Sequence, residues 1–198
     1  LDLLNAKKGK VIQMKGRIRD FLIFIVLLLI DQLSKYWVRT ELIKKDIVLI
    51  PKVLRLQYHT NTGAVWGILT GKTFYLSIFT IIVLLLMILF YFKIPKERKY
   101  SFLNIVLAVI AAGAAGNLID RIFLGYVVDF IYFELINFPL FNFADSCLVV
   151  ACIALFILIM FYYKDEDLLF VYRIFGKNKT AGTDNQDKSG EIISETSM

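Results

Sequence analysis

The sequence predicts an all-α polytopic membrane protein, with four transmembrane helices and a small extracytoplasmic β-sheet. Three observations carry that prediction. First, hydrophobic residues make up 58% of the 198 and lie in long blocks rather than at helical spacing, which excludes an ordinary soluble domain. Second, four of the blocks, residues 21–38, 74–92, 102–124 and 146–163, have the length that a hydrocarbon core of about 30 Å requires. Third, basic residues gather at the flanks of these blocks. Lys7, Lys8, Lys10, Lys15, Arg17 and Arg19 precede the first, and Lys93, Lys96, Arg98 and Lys99 fill the short connection between the second and third. The positive-inside rule then places both segments, and with them both termini, in the cytoplasm. The net charge of +6 is accordingly read as membrane flanking rather than nucleic-acid affinity. Loop 125–142 holds no Lys or Arg and belongs outside. Loop 39–73 is assigned outside as well, although its six basic residues run against the rule.

Residues 1–20 read as a basic cytoplasmic segment without an apolar period, and Met14 is a candidate start. The first block is expected to be retained as a span. It has no small-residue cleavage site behind it, and its second half reads DQLSKYWV. Ten uncharged residues precede Asp31, which puts it about 15 Å along the helix. Lys35 follows one turn later, so an Asp31–Lys35 pair is the structural expectation, with a direct role in a site as the alternative. In loop 39–73 the run IVLIPKVLRLQYHTNTGAVWGIL mixes β-branched and aromatic residues with partial alternation. It predicts short strands and a turn at 61–63, with a sheet edge suited to pairing with an extended peptide. Asn61 offers a donor and an acceptor, and Gly63 allows close backbone approach. His59, the one histidine, reads as an interfacial polar residue.

Block 74–92 carries no charge and is expected to be a scaffold helix. Block 102–124 passes through AAGAAGN, small residues that let another helix come close. Asn117, Asp120 and Arg121 then fall at i, i+3 and i+4, on one helix face. Asp129 sits in the following external loop, framed by apolar residues, and Asn142 and Asp145 stand three apart where the fourth span begins. With this topology Asp31, Asn117, Asp120, Asp129, Asn142 and Asp145 all converge near the outer leaflet. Cys147 and Cys152 lie in the last apolar block as small hydrophobes, with no disulfide or metal signal. Residues 164–198 are polar and read as a disordered cytoplasmic tail.

The segment 116–145 holds four carboxylates, Asp120, Asp129, Glu134 and Asp145, together with Arg121. Each charge at a bilayer's centre costs about 2.5–3.5 kcal/mol on insertion scales. Any one of them could serve only to cap a helix, but together they mark a candidate site. There is no Gly-rich phosphate loop and no Cys/His metal constellation, and a single histidine argues against imidazole catalysis. No metal and no cofactor are expected. Two carboxylates held close together cannot both ionise easily, so one holds a proton while the other acts as a base. That is the chemistry of aspartic peptidases. The same groups also suit a small transporter or proton channel, and the residues alone leave both classes open.

The ordered motifs DQLSK (31–35), NTGAVWG (61–67), GNLIDR (116–121), VVDF (127–130) and FNFAD (141–145) resemble those of bacterial lipoprotein signal peptidase, also called signal peptidase II. The resemblance covers about residues 21–163. It implies an aspartic endopeptidase of the bacterial plasma membrane, working within the bilayer and without a cofactor. Its partners would be membrane lipids and the signal peptides of diacylglyceryl-modified prolipoproteins, cut immediately before the lipidated Cys by a protein expected to be monomeric. The resemblance assigns the catalytic pair to Asp129 and Asp145. It places Asn61, Asn117, Arg121 and Asn142 around them, with Asp31 in support; Gly63 and Lys35 join the supporting set from the reading of the residues above. Asp120 is given a structural role, and Asp120 with Asp145 is the second choice of pair. The chain departs from the family pattern at Val65, where a small residue is common, at Tyr132, where an Asp often recurs, and in its long tails.

Overall fold

A computed structural model describes residues 2–63 and 69–175; Val65 and the rest of the predicted motif at 64–67 lie outside the described residues. The chain divides into two units, residues 1–162 and 163–198. The first contains four helices long and apolar enough to cross a membrane, over Met14–Glu41, Thr73–Lys93, Arg98–Leu124 and Phe143–Tyr162. All four predicted spans are therefore present, each within a few residues of its predicted limits except at the start of the first.

Helix α1 runs over Asp2–Glu41, so the basic segment before the first span is helical rather than patternless. Near its middle, toward the start of the span, it is tied down by an acid that the sequence did not single out. Asp20 is buried, accepting the Tyr91 hydroxyl at 2.8 Å and Arg19 at 2.6 Å. Arg19 in turn donates to Ser101 Oγ at 2.7 Å. A charge-assisted cluster thus joins α1 to helices α2 (Thr73–Lys93) and α3 (Ser101–Leu124) at the end opposite the candidate site.

Helix α2 is lipid-facing, as expected of a scaffold element. Most of its large apolar residues are exposed, and Ser77 and Thr80 turn their hydroxyls back onto their own helix: Ser77 donates to Thr73 O and Thr80 to Leu76 O. With no water in a bilayer core, each polar group must be satisfied in this local way. Helix α3 lies at the centre and packs against α1, α2 and helix α4 (Phe143–Ile157). Its small residues make that position possible. A Cβ at Gly113 would stand 2.6 Å from Ala144 O, and one at Gly116 would collide with the Asp31 carboxylate. The last turns of the fourth span, Leu158–Tyr162, are π-helical. Cys147 is buried and Cys152 exposed, both as free thiols.

The predicted sheet is present and has one strand more than the loop 39–73 suggested. Strands β1 (Ile47–Ile50), β2 (Leu54–Asn61) and β3 (Val127–Phe133) form an antiparallel sheet in the order β1-β2-β3. Asp129 thus sits on a strand rather than in a loop, opposite His59. The sequence conceals β3 because buried Val127, Val128 and Phe130 flank the acid and break strict alternation. Gly125, with φ of 80°, closes α3 by donating its N–H to Arg121 O and sends the chain directly into β3. Val38 of α1 and Leu42, just past its end, pack with Val128 and Phe130, so the sheet is seated on the end of the first helix.

The second unit departs from expectation. Residues Asp165–Phe175 form an amphipathic helix, α5, where an unstructured tail is predicted from residue 164 onward. Asp165, Glu166 and Asp167 fill its first turn, where the helix dipole favours negative charge. Asp167 Oδ2 also accepts the Lys164 N–H at 3.2 Å. Seven of its eleven residues are apolar, a pattern hidden when the segment is averaged with the polar stretch 176–198, which lies outside the described residues.

Candidate active site

The site forms where α1, α3, α4 and β3 meet, and Asn142 is its joint. Asn142 is the N-cap of α4 and takes part in a capping box: its Oδ1 accepts the Asp145 N–H at 2.9 Å, and Asp145 Oδ2 accepts the Asn142 N–H at 3.1 Å. The Asn142 amide nitrogen faces the other way and uses both of its hydrogens. One goes to Asp129 Oδ1 at 2.8 Å and the other to Asn117 Oδ1 at 3.1 Å. Asn142 is fully buried, yet all of its side-chain donors and its acceptor are matched.

Asn117 repeats this bridging role from α3. Its nitrogen donates to Asp145 Oδ1 at 2.8 Å, while its oxygen accepts both Asn142 and the Lys35 ammonium, the latter at 3.0 Å. Reversing either amide would set donor against donor, so the two orientations fix one another. Asp129 is completed from the sheet, where Asn61 Nδ2 donates to its Oδ2 at 2.9 Å. Asn61 Oδ1 in turn accepts the Gly63 N–H at 2.9 Å. Arg121 reaches Gly63 O and Asn117 O, each at 3.4 Å.

Beneath this pair lies a second buried group. Lys35 is 1% exposed and spends its three donors on Asp31 Oδ2 at 2.9 Å, Asn117 Oδ1 at 3.0 Å and Asp120 Oδ2 at 3.2 Å. The expected Asp31–Lys35 pair is present, but it is part of the network and not an alternative to it. Asp31 Oδ1 accepts the Ala144 N–H at 2.9 Å, satisfying one of the free amides in the first turn of α4. Asp120 Oδ2 accepts the Val128 N–H at 3.0 Å and so holds the start of β3 against α3.

All ten residues singled out from the sequence, Asp31, Lys35, Asn61, Gly63, Asn117, Asp120, Arg121, Asp129, Asn142 and Asp145, fall in one connected hydrogen-bonded network. Glu134 does not join it. It lies beyond β3 and pairs with Arg55 at 2.7 Å, because its strand runs away from the helix ends. Gln32 is a member that sequence reading missed. Its amide nitrogen touches Asp31 Oδ2, Gly116 O and Asp120 Oδ1 within 3.1–3.3 Å. An uncharged residue beside Asp31 gives no signal of its own, although its place in the motif DQLSK was visible.

Asp129 and Asp145 line a cavity of about 1140 Å³ together with Asn61, Asn117 and Arg121. Its remaining wall is largely apolar and includes Ala114, Leu148, Val149 and Leu140. Asp129 is buried beside Asp145. Burial first, and the neighbouring carboxylate second, push its pKa up to about 7, against the lowering effect of the two Asn donors. The arrangement therefore offers one carboxyl that keeps its proton near neutrality and a second carboxylate within the same cavity.

A family model described as signal peptidase (SPase) II matches residues 23–161. The chain belongs to the signal peptidase II family. It is thus an enzyme, an aspartic endopeptidase of the lipoprotein signal peptidase type, built as a multi-pass membrane protein. It is 40% identical over 144 residues to the lipoprotein signal peptidase of Staphylococcus haemolyticus (strain JCSC1435), covering 71% of this chain and 88% of that protein. It is 42% identical over 138 residues to that of Enterococcus faecalis (strain ATCC 700802 / V583), covering 69% and 84%. Among solved structures, a bacterial membrane enzyme determined by the in meso method at 2.3 Å resolution matches with a TM-score of 0.64 and 34% identity. That match covers 82% of this chain and 94% of the solved one. The family match ends before α5, which is an addition of this chain to the matched region.

Proposed function

We propose that this signal peptidase II cleaves diacylglyceryl-modified prolipoproteins immediately before the lipidated Cys, with Asp129 and Asp145 as its catalytic pair. The observation that carries the reading is the doubly bonded amide frame. Asn142 and Asn117 hold both carboxylates at the edge of one cavity whose other walls are largely apolar. In the resting pair Asp129 holds the shared proton and Asp145 takes the part of the base. Asp145 takes a proton from water, whose oxygen attacks the scissile carbonyl carbon, while Asp129 gives its proton to the carbonyl oxygen. The resulting diol collapses as its hydroxyl proton returns to Asp129 and Asp145 protonates the departing amine. The C–N bond breaks, and the pair returns to a single shared proton. Arg121 lines the same cavity. The apolar wall formed by α3 and α4 suits a signal-peptide helix and acyl chains.

The transport reading is less well supported. In the spans, no Asp, Glu, Lys, Arg or His lies between Asp20 and Asp31 on α1, within 74–92, within 102–119 or within 146–163. A proton would have to cross the middle of the bilayer with no group to carry it. The deciding experiment is incubation of the purified protein with a diacylglyceryl prolipoprotein. Cleavage before the modified Cys, undiminished by EDTA, is the expected result. Ion flux in proteoliposomes without cleavage would favour transport, and activity lost in EDTA and restored by zinc would sink the carboxylate mechanism.

The pair is assigned to the outer leaflet, with loops 39–73 and 125–142 outside and both termini in the cytoplasm. Single cysteines placed in each loop of intact cells are expected to react with an impermeant reagent in those two loops only. Labelling of residues 94–97 from outside would reverse the orientation.

A further inference from the structure

The six basic residues that run against the positive-inside rule in loop 39–73 lie outside the hydrogen-bonded network of the site. Arg55 is held by Glu134 and Asp46. Lys44, Lys45 and Lys52 are exposed and make no ion pair among the described residues. They bracket β1 in the run KKDIVLIPK. Among the described residues strand β1 is a free edge of the sheet, and all four of its apolar side chains are exposed on both faces.

The patch continues beyond the strand. The Leu135 N–H reaches Val53 O at 3.5 Å, which brings Leu135 and Ile136 beside the β1–β2 turn, where they are 69% and 68% exposed. At that turn Val53 N–H closes on Ile50 O at 3.0 Å, with Pro51 and Lys52 at its corners. Lys52 adopts φ of 60°, a left-handed conformation that favours Gly or Asn at this position of a turn. A lysine is thus kept at the hairpin tip at some conformational cost.

In water, an apolar edge strand flanked by exposed Leu and Ile is an aggregation hazard. A membrane surface removes that hazard, and α1 leaves its apolar span only a few residues before β1 begins. The depth is limited in both directions. Exposed apolar side chains favour the acyl boundary, while the unpaired N–H and C=O groups of a free edge exclude the hydrocarbon itself. Lysine ammonium groups at both ends of the strand fit phosphate groups at that level.

We propose that the β1–β2 hairpin is a membrane-surface anchor, with Ile47–Ile50 lying at the headgroup–acyl boundary and Lys44, Lys45 and Lys52 binding the headgroups of anionic phospholipids. The anchor would fix the height of the sheet, and hence of Asn61 and Asp129, relative to the leaflet at the site end of the bundle. It is separate from the catalytic assignment, and its test reads no peptidase activity.

The full chain carrying Leu49→Trp, with Trp37→Phe and Trp66→Phe so that one indole reports, is reconstituted in phosphatidylcholine vesicles containing phosphatidylglycerol. Either lipid is brominated at a shallow acyl position. The expected result is quenching by both lipids, with brominated phosphatidylglycerol roughly two- to tenfold more effective at equal mole fraction and the excess reduced by salt. Lys44→Gln, Lys45→Gln and Lys52→Gln together are expected to remove that excess while leaving quenching by brominated phosphatidylcholine. Quenching by aqueous iodide alone would overturn the insertion. Equal quenching by the two lipids in the parent, or an excess that survives the triple substitution, would overturn the headgroup binding. Circular dichroism on the same samples establishes that each variant is folded.

Discussion

Asp129→Asn, Asp145→Asn and the double variant are all expected to lose nearly all turnover, each by about 10²–10⁴-fold or more and without adding to one another. Each removes either the acid or the base, and the surviving carboxyl cannot play both parts. Asp129→Asn carries an additional local cost. Asn61 and Asn142 each donate to one of its oxygens, and their own amide oxygens are occupied by the Gly63 and Asp145 N–H groups. A new amide nitrogen at position 129 therefore meets a donor that cannot reverse. Turnover should be measured beside thermal unfolding, so that lost chemistry is separated from lost fold. The parent's rate should also fall as pH rises through about 7, the value to which burial and Asp145 push Asp129, because the pair then loses the proton that the acid must supply. Near-normal turnover in folded Asp129→Asn, together with a folded but inactive Asp120→Asn, would move the pair to Asp120 and Asp145.

The largest stability effect is expected at Lys35. Lys35→Met would leave the Asp31 and Asp120 carboxylates and the Asn117 oxygen around an apolar chain, all of them buried. Removing one partner of a buried ion pair typically costs about 3–5 kcal/mol, since the remaining charge is left without compensation. Asp120→Asn removes one charge but retains an oxygen that can accept the Val128 N–H. Its loss in melting temperature should be smaller, and the folded fraction should still turn over. Combining Lys35→Met with Asp120→Asn should recover part of the loss by removing one of the stranded charges. A Lys35→Met protein melting with the parent would mean that this buried network contributes nothing to stability.

How much of this was visible beforehand differs from element to element, for physical reasons. The spans were legible because a bilayer imposes a length on every helix that crosses it, and residues 74–92 can satisfy that demand in only one way. The site residues were legible because charge in an apolar setting is costly, so Asp31, Asp120 and Asp145 announced themselves, and the ordered motifs supplied their roles. Which carboxylates share an amide was not legible. The contacts of Asn142 with Asp129 and Asn117 join three separate elements, and no spacing rule reaches across them. Glu134 counted equally with the other acids until the path of β3 carried it to Arg55. Asp20 fell within the basic segment before the first span, because its partner Tyr91, and the Ser101 bound by its neighbour Arg19, are distant in the chain. Helix α5 was lost to averaging with the polar residues that follow it.

The double duty of Asn142 has a consequence for when the enzyme can become active. A peptidase inserted chain-first into a bilayer shares that bilayer with its own unassembled segments and with those of other proteins. Here the residue that starts the last spanning helix is the same residue that aligns the two acids. Until that helix has formed its first turn against the third, Asp145 has no amide to orient it, and Asp129 lacks one of its two donors. With Asp129 and Asp145 as the proposed pair, hydrolytic competence would be a late product of assembly, acquired only once the helix at 143–157 has docked.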